Sequence, residues 1–231
     1  MSIFVLKIFA VITMVIDHIR YVIPALDNSI TMIIGRISFP LFAFILTEGI
    51  IHTKSKKEYL KRLVVFAVLS QIPYMMFRYI LGNYLLLNII FTLAIGLMLI
   101  MLIDYYEDKR LKIIVAIFGL LFAEIVPMEY GMYGIALVLV MYYLKKTKIK
   151  HGFEIGYILV NLLYYIKNYI YMKDLKVILT YFIGSMCFLI FYKLYNGKLG
   201  KKVKFLYWFY PVHLVVIYFI YLFMNDVALI R

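Results

Sequence analysis

Long stretches without a charged residue constrain the fold of this chain more than any other feature. Three of them cover residues 79–103, 177–192 and 205–224. A helix needs about 20 apolar residues to cross ~30 Å of hydrocarbon, and these stretches approach or exceed that length. Hydrophobic residues make up 66% of the chain and its mean hydropathy is +0.95, whereas soluble domains are roughly 45–50% apolar. The sequence therefore predicts a polytopic membrane protein.

Unbroken apolar runs indicate transmembrane helices, because the strands of a membrane barrel alternate apolar and polar residues. We predict an all-α membrane helix bundle of about nine transmembrane helices, forming a single domain over residues 1–231. The first apolar segment is too long for a signal peptide and lacks a small-residue cleavage site. The predicted helices span residues 3–23, 30–51, 59–81, 85–104, 111–127, 130–144, 152–170, 174–193 and 204–224.

Basic residues alternate between the loops. Seventeen Lys and Arg residues lie in the second, fourth, sixth and eighth connections, whereas six lie in the other connections and at the C-terminus. Because cytoplasmic loops carry an excess of Lys and Arg, we predict a cytoplasmic N-terminus. The same asymmetry explains most of the net charge of +13, which therefore does not indicate a nucleic-acid partner. The single cysteine excludes an intramolecular disulfide, and we expect no metal site.

The first apolar segment contains ionisable residues, Lys7 and the dipeptide Asp17-His18. An ionisable group at mid-bilayer costs about 2.5–3.5 kcal/mol on insertion scales, so such residues are candidates for function. Lys7 and His18 are separated by close to three helical turns, which places them on one face about 16 Å apart along the axis. Snorkelling of Lys7 to the membrane surface remains an alternative.

Other polar residues are expected at similar depths in the bundle. The predicted topology places Arg36, Asn88 and Glu124 in its outer half, and Gln71 and His213 at mid-depth. A chemical site and a structural role are both open for each of them. The structural roles are an ion pair of Asp17 with Arg36, helix packing of His213 beside Pro211, a helix cap at Glu124 and close helix contact at Tyr130-Gly131-Met132-Tyr133-Gly134.

Several motifs together resemble the TraX family, in the family's order and over nearly the whole chain. Residues 145–200 match least. The motifs include Met14-Val15-Ile16-Asp17-His18, Gly35-Arg36-Ile37-Ser38-Phe39-Pro40, Thr47-Glu48-Gly49, Ser70-Gln71-Ile72-Pro73, Tyr130-Gly131-Met132-Tyr133-Gly134 and Tyr210-Pro211-Val212-His213, with further matches at residues 6–8, 59–63 and 88–93.

The resemblance implies a membrane acyltransferase. TraX proteins are named for an enzyme that acetylates the N-terminus of conjugative pilin, and the family is similar to the larger acyltransferase family 3. That larger family has a basic residue and a histidine ten intervening residues later in its first helix, which Lys7 and His18 match. The implied donor is acetyl-CoA in the cytoplasm, and the implied location is the bacterial cytoplasmic membrane. The implied acceptor is an amine or hydroxyl of a peptide, pilin-like protein or glycan.

Roles for particular residues follow from this resemblance and from acyl-transfer chemistry, which needs a general base and donors for an oxyanion. A proton-coupled transporter using Asp17, His18 and Glu124 as a relay, and a non-catalytic membrane scaffold, are the alternatives. The expected catalytic residues are His18, Asp17, Arg36 and Asn88; the expected acetyl-CoA contacts are Lys7, Lys61, Arg62 and Gln71; the expected acceptor contacts are Glu124, Tyr130, Tyr133 and His213.

Overall fold

The fold is a bundle of α-helices, seen in a computed structural model that describes residues 1–83, 85–147, 149–201 and 206–229. Within these ranges the only β pairing is an isolated bridge between Leu87 and Met128. The helices are α1 (Ile3–Ile19), α2 (Ser29–His52), α3 (Lys56–Ile80), α4 (Ile89–Tyr105), α5 (Lys109–Ile125), α6 (Gly131–Thr147), α7 (Gly152–Met172), α8 (Leu175–Met186), α9 (Phe188–Leu194) and α10 (Leu206–Leu229).

The bundle has the surface of a membrane protein. Four of its described helical stretches are long and apolar enough to cross a bilayer: Ser29–His52, Lys56–Ile80, Leu175–Leu194 and Tyr207–Asn225. Large apolar side chains face outward, including Phe118 and Ile125, which are 69% and 81% exposed. Apolar surface of this extent indicates contact with lipid. The all-helical membrane class is therefore confirmed, while nine spans and a cytoplasmic N-terminus stay predictions.

The predicted helix boundaries differ from the structure at several places, and three of the differences have a clear local form. Helix α1 ends at Ile19, four residues before the predicted end at residue 23, and a 3-10 turn, Pro24–Leu26, comes next. Helix α4 starts at Ile89 instead of residue 85, because the Asn88 side chain accepts a hydrogen bond from the Ile90 amide as its N-cap. The predicted eighth helix is divided at Cys187 into α8 and α9.

Helix α2 is the centre of the bundle and packs against α1, α6 and α8, while α10 packs on α3 and also contacts α1. The helix ends that adjoin the basic loops contact one another. Lys56 Nζ is 2.8 Å from Asp104 Oδ2, Lys145 pairs with the buried carboxylate of Glu48, and the Met1 amino group bonds the carbonyl of Leu194. We call this the basic end of the bundle.

Candidate functional site

One face of α1 lines two cavities in succession. Lys7, Val11 and Met14 line a cavity of about 260 Å³, the Lys7 cavity, and His18 lines another of about 200 Å³, the His18 cavity. These four residues are spaced four, three and four apart, which puts them on one side of a helix. The Lys7 cavity lies toward the basic end, and the His18 cavity lies farther along α1.

The Lys7 cavity is mostly apolar, with cations at the basic end. Two lysines line it, Lys7 on α1 and Lys201 after α9. Of the other expected donor contacts, Lys61 and Arg62 are exposed on α3, and the Arg62 guanidinium lies over the ring of Tyr59, itself a wall residue. The remaining lining residues include Ile45, Leu46, Leu63, Ile90, Leu93, Tyr207, Phe209 and Tyr210.

Asp17 joins α1 to α2 beside the His18 cavity. Its Oδ2 lies 2.7 Å from Arg36 Nη2, and its Oδ1 lies 3.1 Å from Arg20 Nε. Gly35 makes this approach possible, because a Cβ at that position would lie 2.2 Å from Asp17 Oδ1. The ion pair that the sequence suggested between Asp17 and Arg36 is present, and Arg20 is a second partner that the sequence did not indicate.

His18 and His213 form a hydrogen-bonded imidazole pair. His18 Nδ1 lies 2.9 Å from His213 Nε2, and His213 Nδ1 lies 3.0 Å from the carbonyl oxygen of Phe209. A carbonyl only accepts, so His213 Nδ1 carries the hydrogen and, with both rings neutral, His213 Nε2 accepts from His18 Nδ1. His18 Nε2 is then left unprotonated. The fold thus selects the His18 tautomer that has a lone pair on Nε2.

The far wall of the His18 cavity comes from the connection between α5 and α6. Tyr130 and Gly131 have φ angles of +63° and +42°, and this turn stacks the Tyr130 ring on Phe39 with 4.0 Å between centroids. Tyr130 and Glu129 both line the cavity, as does Arg78 of α3. Sequence reasoning missed both residues, since Glu129 falls between the predicted helices 111–127 and 130–144 and Arg78 lies near the end of the predicted helix 59–81. The position of Glu129 directly before the Tyr-Gly motif was the available signal.

Asn88 and Gln71 hold α3 to the start of α4 and do not line either cavity. Asn88 Nδ2 donates to the Ala67 carbonyl at 2.7 Å and to Gln71 Oε1 at 2.9 Å. Gln71 Nε2 donates to the carbonyl of Leu86 at 2.9 Å. Both amides are therefore used within the fold, and an oxyanion donor at Asn88 and a donor contact at Gln71 stay predictions.

Two expected acceptor contacts also lie elsewhere. Glu124 is exposed and pairs with Lys167 of α7, away from the lining of both cavities. Tyr133 is buried and donates its hydroxyl to Asn161 Oδ1 at 2.9 Å. Their side chains are thus used to join α5 and α6 to α7. No cluster of metal-ligating side chains is found in the described part of the chain.

The fold and the site define a class: an integral membrane helix bundle whose ionisable residues converge on a partly buried histidine pair. The chain belongs to the TraX family, whose profile, described as "TraX protein", matches residues 2–221. It is similar to the "Probable fimbrial assembly protein FimC, serogroup H1" of Dichelobacter nodosus, with 30% identity over 238 residues that cover 94% of each chain. No solved structure matches the chain. The resemblance found from the motifs is confirmed.

Proposed function

We propose that this chain is a membrane-embedded acetyltransferase that transfers an acetyl group from acetyl-CoA to an amine or hydroxyl of an acceptor in or beyond the membrane. The observation that carries this proposal is the position of His18, which borders its own cavity, adjoins the Lys7 cavity along α1 and has its tautomer selected by His213. Membership of the TraX family supports acyl transfer. The name of the Dichelobacter nodosus relative supports a pilin-like acceptor over a glycan.

The residues of the Lys7 cavity fit acetyl-CoA. Lys7 and Lys201 supply positive charge for phosphate groups at the basic end. Lys61 and Arg62 add positive charge on α3, where the Arg62 guanidinium lies over the ring of Tyr59, a residue that lines the cavity. The apolar lining suits a narrow pantetheine arm, and about 16 Å of helix axis separates Lys7 from His18. When bound, acetyl-CoA supplies a thioester whose carbonyl carbon is open to attack. The positive-inside pattern supports a cytoplasmic basic end.

His18 acts as the general base in this proposal. Its Nε2 lone pair accepts the proton that the acceptor loses during attack, and a well-placed base contributes about 10²–10⁴-fold in rate. Arg36 offers a donor: its Nε is buried and has no hydrogen-bond partner among the described residues. That group stabilises negative charge that develops on the acyl oxygen. Asp17 keeps Arg36 oriented through the 2.7 Å ion pair.

Purified protein tests the proposal through acetyl-CoA binding and acetyl-CoA hydrolysis. We expect His18→Ala to bind acetyl-CoA and to lose turnover, and Lys7→Ala to raise the KM for acetyl-CoA with little change in kcat. His52→Ala is the matched control, because His52 lies near the basic end of the bundle, where its Nδ1 is 2.9 Å from the Glu48 backbone carbonyl and 3.9 Å from the Glu48 carboxylate. Wild-type protein that neither binds nor hydrolyses acetyl-CoA, or that instead carries proton-coupled flux in vesicles, would overturn it.

A further inference from the structure

Glu129 is held rigidly by its backbone while its carboxylate is left for the cavity. Its amide donates to the Leu87 carbonyl at 2.9 Å, and its carbonyl accepts from the Thr92 hydroxyl at 2.5 Å. The Leu87 amide donates in turn to the carbonyl of Pro127 at 2.9 Å. None of these bonds uses the carboxylate. Glu129 lines the His18 cavity, and the Tyr74 hydroxyl is a polar neighbour of its carboxylate.

The carboxylate has no basic partner of its own. Asp17 takes both Arg20 and Arg36, and no ion pair of the described residues involves Glu129. Burial raises the pKa of Glu129 to about 7, and nearby Arg78 opposes that rise. The titratable and charged groups around it come from several elements: Asp17 and His18 of α1, Tyr21 just after α1, Arg36 of α2, Tyr74 and Arg78 of α3, Tyr130 beside it, Tyr164 of α7 and Tyr210 of α10.

A hydroxyl acceptor and an ammonium acceptor differ in the number of protons that each must lose during acylation. A hydroxyl loses one proton when it is acylated, and His18 accepts it. An α-amine has a pKa near 8, so at pH 7 only about a tenth of it is unprotonated. An ammonium must lose one proton before it attacks and a second as the amide forms. One imidazole therefore suffices for a hydroxyl acceptor, whereas an ammonium acceptor requires a second base.

We propose that Glu129 is a second catalytic base, which binds the acceptor as an ammonium and removes its first proton. The proposal rests on the proposed acetyltransferase function and gives Glu129 a role when the acceptor is an amine. The placement of Glu129, which forms no ion pair among the described residues, together with His18 in the lining of one cavity of about 200 Å³ carries it.

The proposed acetyl transfer uses one thioester and one ammonium, and its bonds and protons balance as follows. Glu129 takes a proton from the ammonium, and the nitrogen lone pair forms the C–N bond while the C–S bond breaks and its electron pair leaves on sulfur. His18 Nε2 takes the second proton from nitrogen and delivers it to the thiolate. The products are an amide, a thiol and one proton on Glu129, which returns to water. No oxidant or reductant is required.

Binding without acetyl-CoA tests Glu129 separately from acetyl transfer. The probes are trialanine amide and the same peptide acetylated at its N-terminus. At pH 7.5 we expect wild-type protein to bind the free amine at least tenfold more tightly, Glu129→Gln to bind both peptides equally, and Glu107→Gln, an exposed loop carboxylate, to behave as wild type. Equal binding of the two peptides by wild-type protein would overturn the proposal, even if acetyl transfer were established.

The pH profile of kcat/KM for trialanine amide is the second readout. The wild-type profile should rise near pH 7 as Glu129 ionises and fall near pH 8 as the ammonium loses its proton. Glu129→Gln should be at least tenfold slower at pH 7, rise to pH 8 and then stay level. Glu129→Asp, which keeps a carboxylate, should keep the falling limb. Parallel profiles for wild type and Glu129→Gln would contradict the assignment, whereas absence of acetyl-CoA binding would contradict the proposed function itself.

Discussion

Replacement of His213 tests whether the imidazole pair sets the reactivity of His18. His213→Phe keeps an aromatic ring beside Phe209, against which the native imidazole stacks at 5.3 Å, but removes the acceptor that lies 2.9 Å from His18 Nδ1. A buried donor left without a partner costs about 1–3 kcal/mol. The neutral His18 ring avoids this cost when its proton moves from Nδ1 to Nε2. That change removes the Nε2 lone pair that is proposed to act as the base.

The magnitude follows from that cost. With about 1.4 kcal/mol for each factor of ten, the reactive tautomer falls roughly 5- to 150-fold, and kcat should fall by the same factor. The KM for acetyl-CoA should not change, because His213 does not line the Lys7 cavity. His213→Gln places an amide oxygen that accepts from His18 Nδ1, and it should recover part of the lost rate.

The assay combines steady-state acetyl transfer with ¹⁵N NMR of labelled histidine. The chain has four histidines, so spectra of His18→Ala and His213→Phe identify the signals of the pair. Wild-type protein should show His18 protonated on Nδ1, and His213→Phe should show it protonated on Nε2. A wild-type His18 protonated on Nε2, or a His213→Phe variant with unchanged kcat, would refute the reasoning.

Two further substitutions test the packing around the site. Gly35→Ala should displace Asp17, because the new Cβ would lie 2.2 Å from its Oδ1, and thermal unfolding should show a loss of about 3–5 kcal/mol, the cost of breaking a buried ion pair; an unchanged midpoint would contradict the close approach. Lys145→Met should destabilise by about 3 kcal/mol, since Glu48 is 1% exposed and the substitution removes the lysine that pairs with this buried side chain. Lys146→Met, which removes a 60%-exposed cation 3.6 Å from its carboxylate partner, is the control and should change stability by less than about 1 kcal/mol.

The helices were predictable because each apolar segment carries its own signal, whereas the site depends on contacts between segments. The face of α1 that holds Lys7 and His18 follows from helical periodicity alone. Periodicity does not predict the hydrogen-bond partner of His18, because His213 lies 195 positions away in the chain. Asn88 and Glu124 were expected at the site from their depth, but depth does not give the direction of a side chain. A hydrogen bond to Gln71 and an ion pair with Lys167 use them instead.

In the proposed transferase, the arrangement of polar groups along α1 would separate the two substrates. From Met14 to His18 is about one helical turn, or 6 Å along the axis, so a group held in the Lys7 cavity ends close to the imidazole without entering the His18 cavity. The two carboxylates of the His18 cavity differ in their ion pairs. Asp17 pairs with Arg20 and Arg36, whereas Glu129 forms no ion pair among the described residues. A transporter would need these groups along one continuous path for one cargo. A base between a basic, apolar cavity and a polar one that is lined by both carboxylates and guanidiniums suits the two substrates of the proposed transferase, approaching from opposite ends.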